Sequence, residues 1–122
     1  KELNDTTLVV ELFSEGAKAL FTGDIGFQKL GVENKLMNIF EGPIDILKVP
    51  HHGSKYSSGN SFLAALKPKL AFIEVGKNSY GHPTESVLER LRNVGAKIYR
   101  TDKNGTVAVI IDGENMTIDK IQ

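Results

Sequence analysis

The sequence contains no cysteine, which excludes disulfides and any thiolate metal centre and leaves the redox compartment open. No apolar run approaches the ~20 residues that a membrane-spanning helix needs. The chain opens on Lys1 without a methionine or a signal-like segment, as expected of a piece excised or processed from a longer protein. Net charge is also missing: 15 basic and 15 acidic side chains cancel over 122 residues. Such a balance argues against tight binding of nucleic acid by charge alone, because affinity grows with the phosphates neutralised.

The balance is uneven along the chain. Residues 1–42 carry 4 basic and 7 acidic side chains, residues 43–100 carry 9 and 4, and residues 101–122 carry 2 and 4. The middle stretch is thus net +5 (9 minus 4) and holds all 3 histidines. A basic region suits an anionic substrate such as a phosphodiester, although scattered solvated lysines give the same count. Hydrophobic content of 40% and charged content of 25% fit one ordinary globular domain spanning 1–122.

Periodicity then orders the chain. Alternation from Thr7 to Phe13 predicts a strand, Ser14-Glu15-Gly16 a turn, and Ala17 to Thr22 the returning strand of a hairpin. A helical pattern runs from Leu30 to Phe40 and stops at Gly42-Pro43. Ile44–Val49 and Leu70–Val75 read as central strands, apolar on both faces. Between them come a polar loop, 51–60, and a short helix, Ser61–Leu66. Pro83 at a first helical position opens a helix that Gly95 closes. Lys97–Arg100, Thr106–Ile111 and Met116–Ile121 are further strands, with turns at 102–105 and 112–115. The order predicts an α/β (α+β) domain: a mixed sheet with helices on one face.

Chemistry-bearing residues gather where apolar runs end. Thr22-Gly23-Asp24 places a carboxylate at a strand terminus, where it can bridge two cations or cap a turn. His51 and His52 end the next strand, and adjacent residues of an extended chain face opposite sides. One imidazole can then ligate metal while the other faces elsewhere in the cleft; a hydrogen-bonded surface pair is the plainer alternative. Gly53 and Ser54 offer N–H groups and a hydroxyl that suit a substrate phosphate. His82, read as the N-cap of the Pro83 helix, would be disfavoured as a cation by the helix dipole and so act as a neutral acid–base group. A simple capping role is its alternative, weakened because histidine is a poor N-cap.

Leu20-Phe21-Thr22-Gly23-Asp24, Ile46 to Ser54, Gly81-His82-Pro83 and Arg100 to Gly105 together resemble the C-terminal half of a metallo-β-lactamase-fold hydrolase, in the branch of the DNA-internalisation competence protein ComEC. The resemblance runs from about Asn4 to Gly113. It implies half of an αββα sandwich with a divalent metal pair, zinc or manganese, at the sheet edge. It implies Asp24 as bridging carboxylate and His52 as metal ligand, since His52 aligns with the histidine of the family's Val-Pro-Gly-His-Gly turn. It leaves His51 and His82 as catalytic groups facing substrate, with Gly53 and Ser54 beside them.

The family's His-x-His-x-Asp-His cluster, or its His-x-Asp-x-Asp-His variant, is absent from this sequence. Two ligands cannot close a site in which zinc takes about four donors per ion. The expectation is therefore half an active site: the piece alone binds metal poorly and is inactive. Its partners would be the missing N-terminal half, a nucleic acid or other phosphodiester, or a second copy through an apolar sheet face carrying Val9 or Val10 and Ile46 or Leu47. A ComEC-type parent implies the extracytoplasmic face of a membrane; otherwise the expectation is cytoplasmic. The alternatives are a non-catalytic interaction or dimerisation module, or a hydrolase of other small esters.

Overall fold

The computed structural model describes residues 7–26 and 31–121. Among the described residues seven strands and four helices follow in the order β1 (Val10–Ser14), β2 (Ala17–Phe21), α1 (Val32–Leu36), β3 (Ile46–Lys48), α2 (Asn60–Leu66), β4 (Leu70–Ile73), α3 (Glu85–Asn93), β5 (Lys97–Arg100), α4 (Thr101–Asn104), β6 (Thr106–Asp112) and β7 (Asn115–Ile121). A tight turn, Pro50–Gly53, follows β3.

Strands β1 to β5 form one sheet in sequential order. The β1–β2 pair is antiparallel, and the β2–β3, β3–β4 and β4–β5 pairs are parallel. Register puts Leu20, Leu47, Ala71 and Ile98 in one row across the sheet. Leu20, Leu47 and Ala71 join Phe62, Leu63, Leu66, Val87 and Leu91 of the helices in a single buried cluster. The helices therefore cover that face, as the crossovers of parallel strands require. Each Leu or Phe fully buried there contributes about 1.5–3 kcal/mol.

The opposite face carries Phe21, Lys48, Phe72 and Tyr99 in one row, with Phe72 and Tyr99 stacked at 5.4 Å. Here the structure departs from the single sheet expected. β6 and β7 pair only with each other, and Val107, Val109 and Ile111 line an apolar cavity of about 370 Å³ together with Leu12, Phe21 and Ile46. The apolar surface expected to be open is partly covered. Leu47 is fully buried beneath the helices, Val10 is exposed, and Ile46 is half-buried.

Several boundaries moved for local reasons. β3 starts at Ile46 rather than Ile44, because the Asp45 carboxylate takes the Lys18 N–H at 2.9 Å. The helix expected from Leu30 to Phe40 is observed over Val32–Leu36, and Leu30 lies outside the described residues. The turn expected at 102–105 begins as a helical turn at Thr101, closed by the Asn104 side chain accepting the Arg100 N–H at 2.8 Å.

Candidate functional site

The parallel strands β2, β3 and β4 all end on one edge of the sheet, the edge where open α/β sheets form their clefts. After β2, Thr22 is buried and its hydroxyl donates to the Lys48 carbonyl at 2.6 Å. Gly23 follows at φ +56°, and a Cβ there would collide with the Thr7 hydroxyl. That hydroxyl also accepts the Asp24 N–H at 3.3 Å. The backbone of this loop is thus pinned, and the Asp24 side chain remains half-exposed.

His51 and His52 are not extended. Their φ angles are 51° and 54°, in the left-handed region, which costs about 1–2 kcal/mol per non-glycine residue. Opposite facing therefore cannot be inherited from a strand; hydrogen bonds impose the separation instead. The His51 N–H donates to the Gly23 carbonyl at 2.9 Å. The His52 ring bonds through Nδ1 to the Glu74 carbonyl at 2.6 Å. His51 then meets His82 edge-on, with ring centroids 5.7 Å apart, while His52 Nε2 lies 3.8 Å from Asp24 Oδ1.

This geometry determines what His52 can do. A carbonyl oxygen only accepts, so Nδ1 carries the proton, and a neutral ring presents its Nε2 lone pair towards Asp24. Two acceptors facing each other suit a shared cation. A second ring nitrogen anchored on a backbone carbonyl is also how metal-ligating histidines are oriented. Asp24 and His52 therefore fit a divalent cation as two of its donors. Among the described residues no group of three or more His, Cys, Asp or Glu side chains is gathered for one.

His82 does not cap a helix. α3 begins at Glu85 with Thr84 as its N-cap, because Thr84 is committed twice to the Gly53 carbonyl, by its N–H at 3.0 Å and its hydroxyl at 3.2 Å. The His82 pKa is nevertheless lowered. Partial burial is the largest cause, and the neighbouring His51 and His52 rings add to it. Sequence reasoning passed over Asn78, which bonds the Tyr80 and His82 N–H groups through Oδ1 and the Gly76 and His82 carbonyls through Nδ2. Asparagine in a Gly- and Ser-containing loop was the available signal.

Gly53 and Ser54 also differ from expectation. Ser54 is buried; its N–H donates to the His51 carbonyl at 3.0 Å and its hydroxyl accepts the Tyr56 N–H at 3.2 Å. Its polar groups hold the histidine turn rather than facing a cleft. Gly53, at φ +83°, lies against Pro83, where a Cβ would come within 2.5 Å of the proline side chain and 2.9 Å of its backbone. Gly53→Ala is expected to cost about 2–5 kcal/mol, from left-handed strain plus overpacking. Urea melts beside Gly113→Ala, which has φ +62° and open space, check this; equal losses would show that Pro83 yields.

The chain is similar to known proteins over most of its length. A family model described as the metallo-beta-lactamase superfamily matches residues 2–76. ComE operon protein 3 of Bacillus subtilis (strain 168) is 42% identical over 106 residues, covering 85% of this chain and 13% of that protein. Competence protein ComA of Neisseria gonorrhoeae is 36% identical over 107 residues, covering 85% and 15%. Recombination protein 2 of Haemophilus influenzae is 37% identical over 94 residues, covering 74% and 11%. The chain thus spans only 11% to 15% of the length of these relatives. Among the described residues no helix is long and apolar enough to cross a membrane. With a family model over more than half its length, and with an acidic and an imidazole group brought together at the ends of adjacent parallel strands, this chain belongs to the metallo-beta-lactamase superfamily.

Proposed function

We propose that the chain is the C-terminal half of a metal-dependent phosphodiester hydrolase that acts on nucleic acid during DNA uptake, at the extracytoplasmic face of a membrane. The observation that carries this reading is His52, with Nδ1 held on the Glu74 carbonyl and Nε2 turned towards Asp24. Similarity to the competence protein ComA of Neisseria gonorrhoeae supports the biological setting.

Asp24 and His52 would supply two donors to a divalent metal pair, zinc or manganese; the remaining donors would come from the preceding half of the domain. When bound, such a pair supplies Lewis acidity towards a phosphoryl oxygen and a nucleophile at neutral pH. His51 and His82, with their rings in edge contact beside those donors, would take up and return the protons of water attack and leaving-group departure. The apolar cavity between the β1–β5 sheet and the β6–β7 hairpin would receive side chains of that preceding half, in preference to a second copy of this chain.

The test uses the parent protein, purified and metal-depleted, on a labelled oligonucleotide. Cleavage should return on adding Mn²⁺ or Zn²⁺, while the 122-residue chain binds metal weakly and cleaves nothing. No cleavage by the loaded parent overturns the phosphodiester reading. Stoichiometric metal and turnover in the chain alone overturn the half-site.

A further inference from the structure

We infer that Tyr80 is a stacking platform for a nucleobase beside the site, so that the phosphodiester taken is that of a single strand. This rests on the phosphodiester reading above and assigns the residue that selects the strand. Tyr80 is 81% exposed, the most open of the exposed large apolar side chains among the described residues. Its ring stacks on His82 at 5.8 Å with planes 29° apart, and His82 in turn contacts His51. One face of Tyr80 is therefore occupied by a site histidine. The other faces solvent.

The surroundings favour a base over a protein partner. Lys77, Asn78, Ser79 and Gly81 flank the ring in sequence, so there is a lone aromatic among polar residues rather than an apolar patch. A recess of about 180 Å³, lined by Tyr80, His82, Lys77 and His52, connects the ring to the side chain assigned to metal. A base on the outer face of Tyr80 would leave its phosphate near Lys77 and the histidines. Asn78 fixes the loop through bonds to Gly76, Tyr80 and His82, so little ordering remains to be done on binding. Every base has a π-face, which makes such a platform tolerant of sequence. A duplex keeps its bases stacked inside and cannot use it.

The experiment measures binding of a fluorescein-labelled single-stranded oligodeoxythymidylate to the parent protein by anisotropy, alongside cleavage of the same strand. Tyr80→Ala should weaken binding by about 5- to 100-fold, as for loss of one base–aromatic stack, and raise KM with little change in kcat. Tyr80→Phe should bind like the unaltered protein. An abasic position that weakens binding to the unaltered protein should have no effect on Tyr80→Ala. Equal binding by Tyr80→Ala, loss in Tyr80→Phe, or a duplex competing as well as the single strand overturns the inference and leaves the hydrolase reading standing. An unaltered parent that neither binds the strand nor cleaves any phosphodiester overturns that reading itself.

Discussion

In the parent protein, His52→Ala should lower metal content and activity together, whereas His51→Ala should keep metal and slow turnover by about 10²–10⁴-fold, the range for a lost acid–base group. The two histidines are adjacent in sequence but diverge in space: the His52 ring faces Asp24 and the His51 ring faces His82. Removing His52 deletes a donor whose free nitrogen is already aimed. Since losing even an outer-shell partner of a metal ligand costs 10–100-fold, the loss here should be at least about 100-fold. Asp24→Asn should behave like His52→Ala, because a neutral amide bridges cations badly. Metal analysis after dialysis, with cleavage rates on the same samples, separates these outcomes. Metal lost from His51→Ala and kept in His52→Ala would reverse the two assignments.

The second large effect concerns stability and a residue remote from catalysis. Glu33 is 1% exposed on α1, and its carboxylate accepts the N–H groups of Ser58 and Gly59 at the start of α2. Glu33→Ala should destabilise the chain by about 2–6 kcal/mol, since two donors lose their acceptor at about 1–3 kcal/mol each. Burial raises the Glu33 pKa above 4.5, outweighing the two backbone bonds and the attraction of Arg90, which lower it. A folded pKa above the unfolded one means the folded chain holds this proton more tightly. The resulting stability is fully present below the unfolded value and is lost as pH rises through the folded one. Glu33→Gln, which keeps one acceptor and cannot ionise, should remove that pH dependence and cost less than alanine. Urea melts across this range check both; an unchanged pH slope in Glu33→Gln would assign the dependence to another group.

The legible parts of the sequence were those governed by local pattern. Leu47 and Ala71 sit in runs apolar on both faces, as a covered central strand requires, and Leu20 lies in the returning strand of a hairpin; the strand ends before Asp24 and His51 follow from these runs. What escaped depended on partners distant in sequence. Alternation of Val107, Val109 and Ile111 is the same whether β6 joins the main sheet or folds over it. The left-handed turn at His51 and His52 carries no glycine at either position, so an extended reading was natural. Its cause is the Gly23 and Glu74 carbonyls. Pro83 suited a helix start, but the Gly53 carbonyl claimed Thr84 and moved the start to Glu85. Nothing local marks Glu33 in the helical pattern, because its partners, Ser58 and Gly59, lie 25 and 26 residues away.

The contact that orients His52 is made by the main-chain oxygen of residue 74, while the Glu74 side chain is itself exposed. Gly23 likewise acts on His51 through its carbonyl. Inheritance of this site is therefore partly invisible in letters. A relative that replaces Glu74 with any residue able to continue an extended chain keeps the same oxygen in the same place. Divergence at that position says nothing about loss of function, and an aligned glutamate there says nothing about its retention.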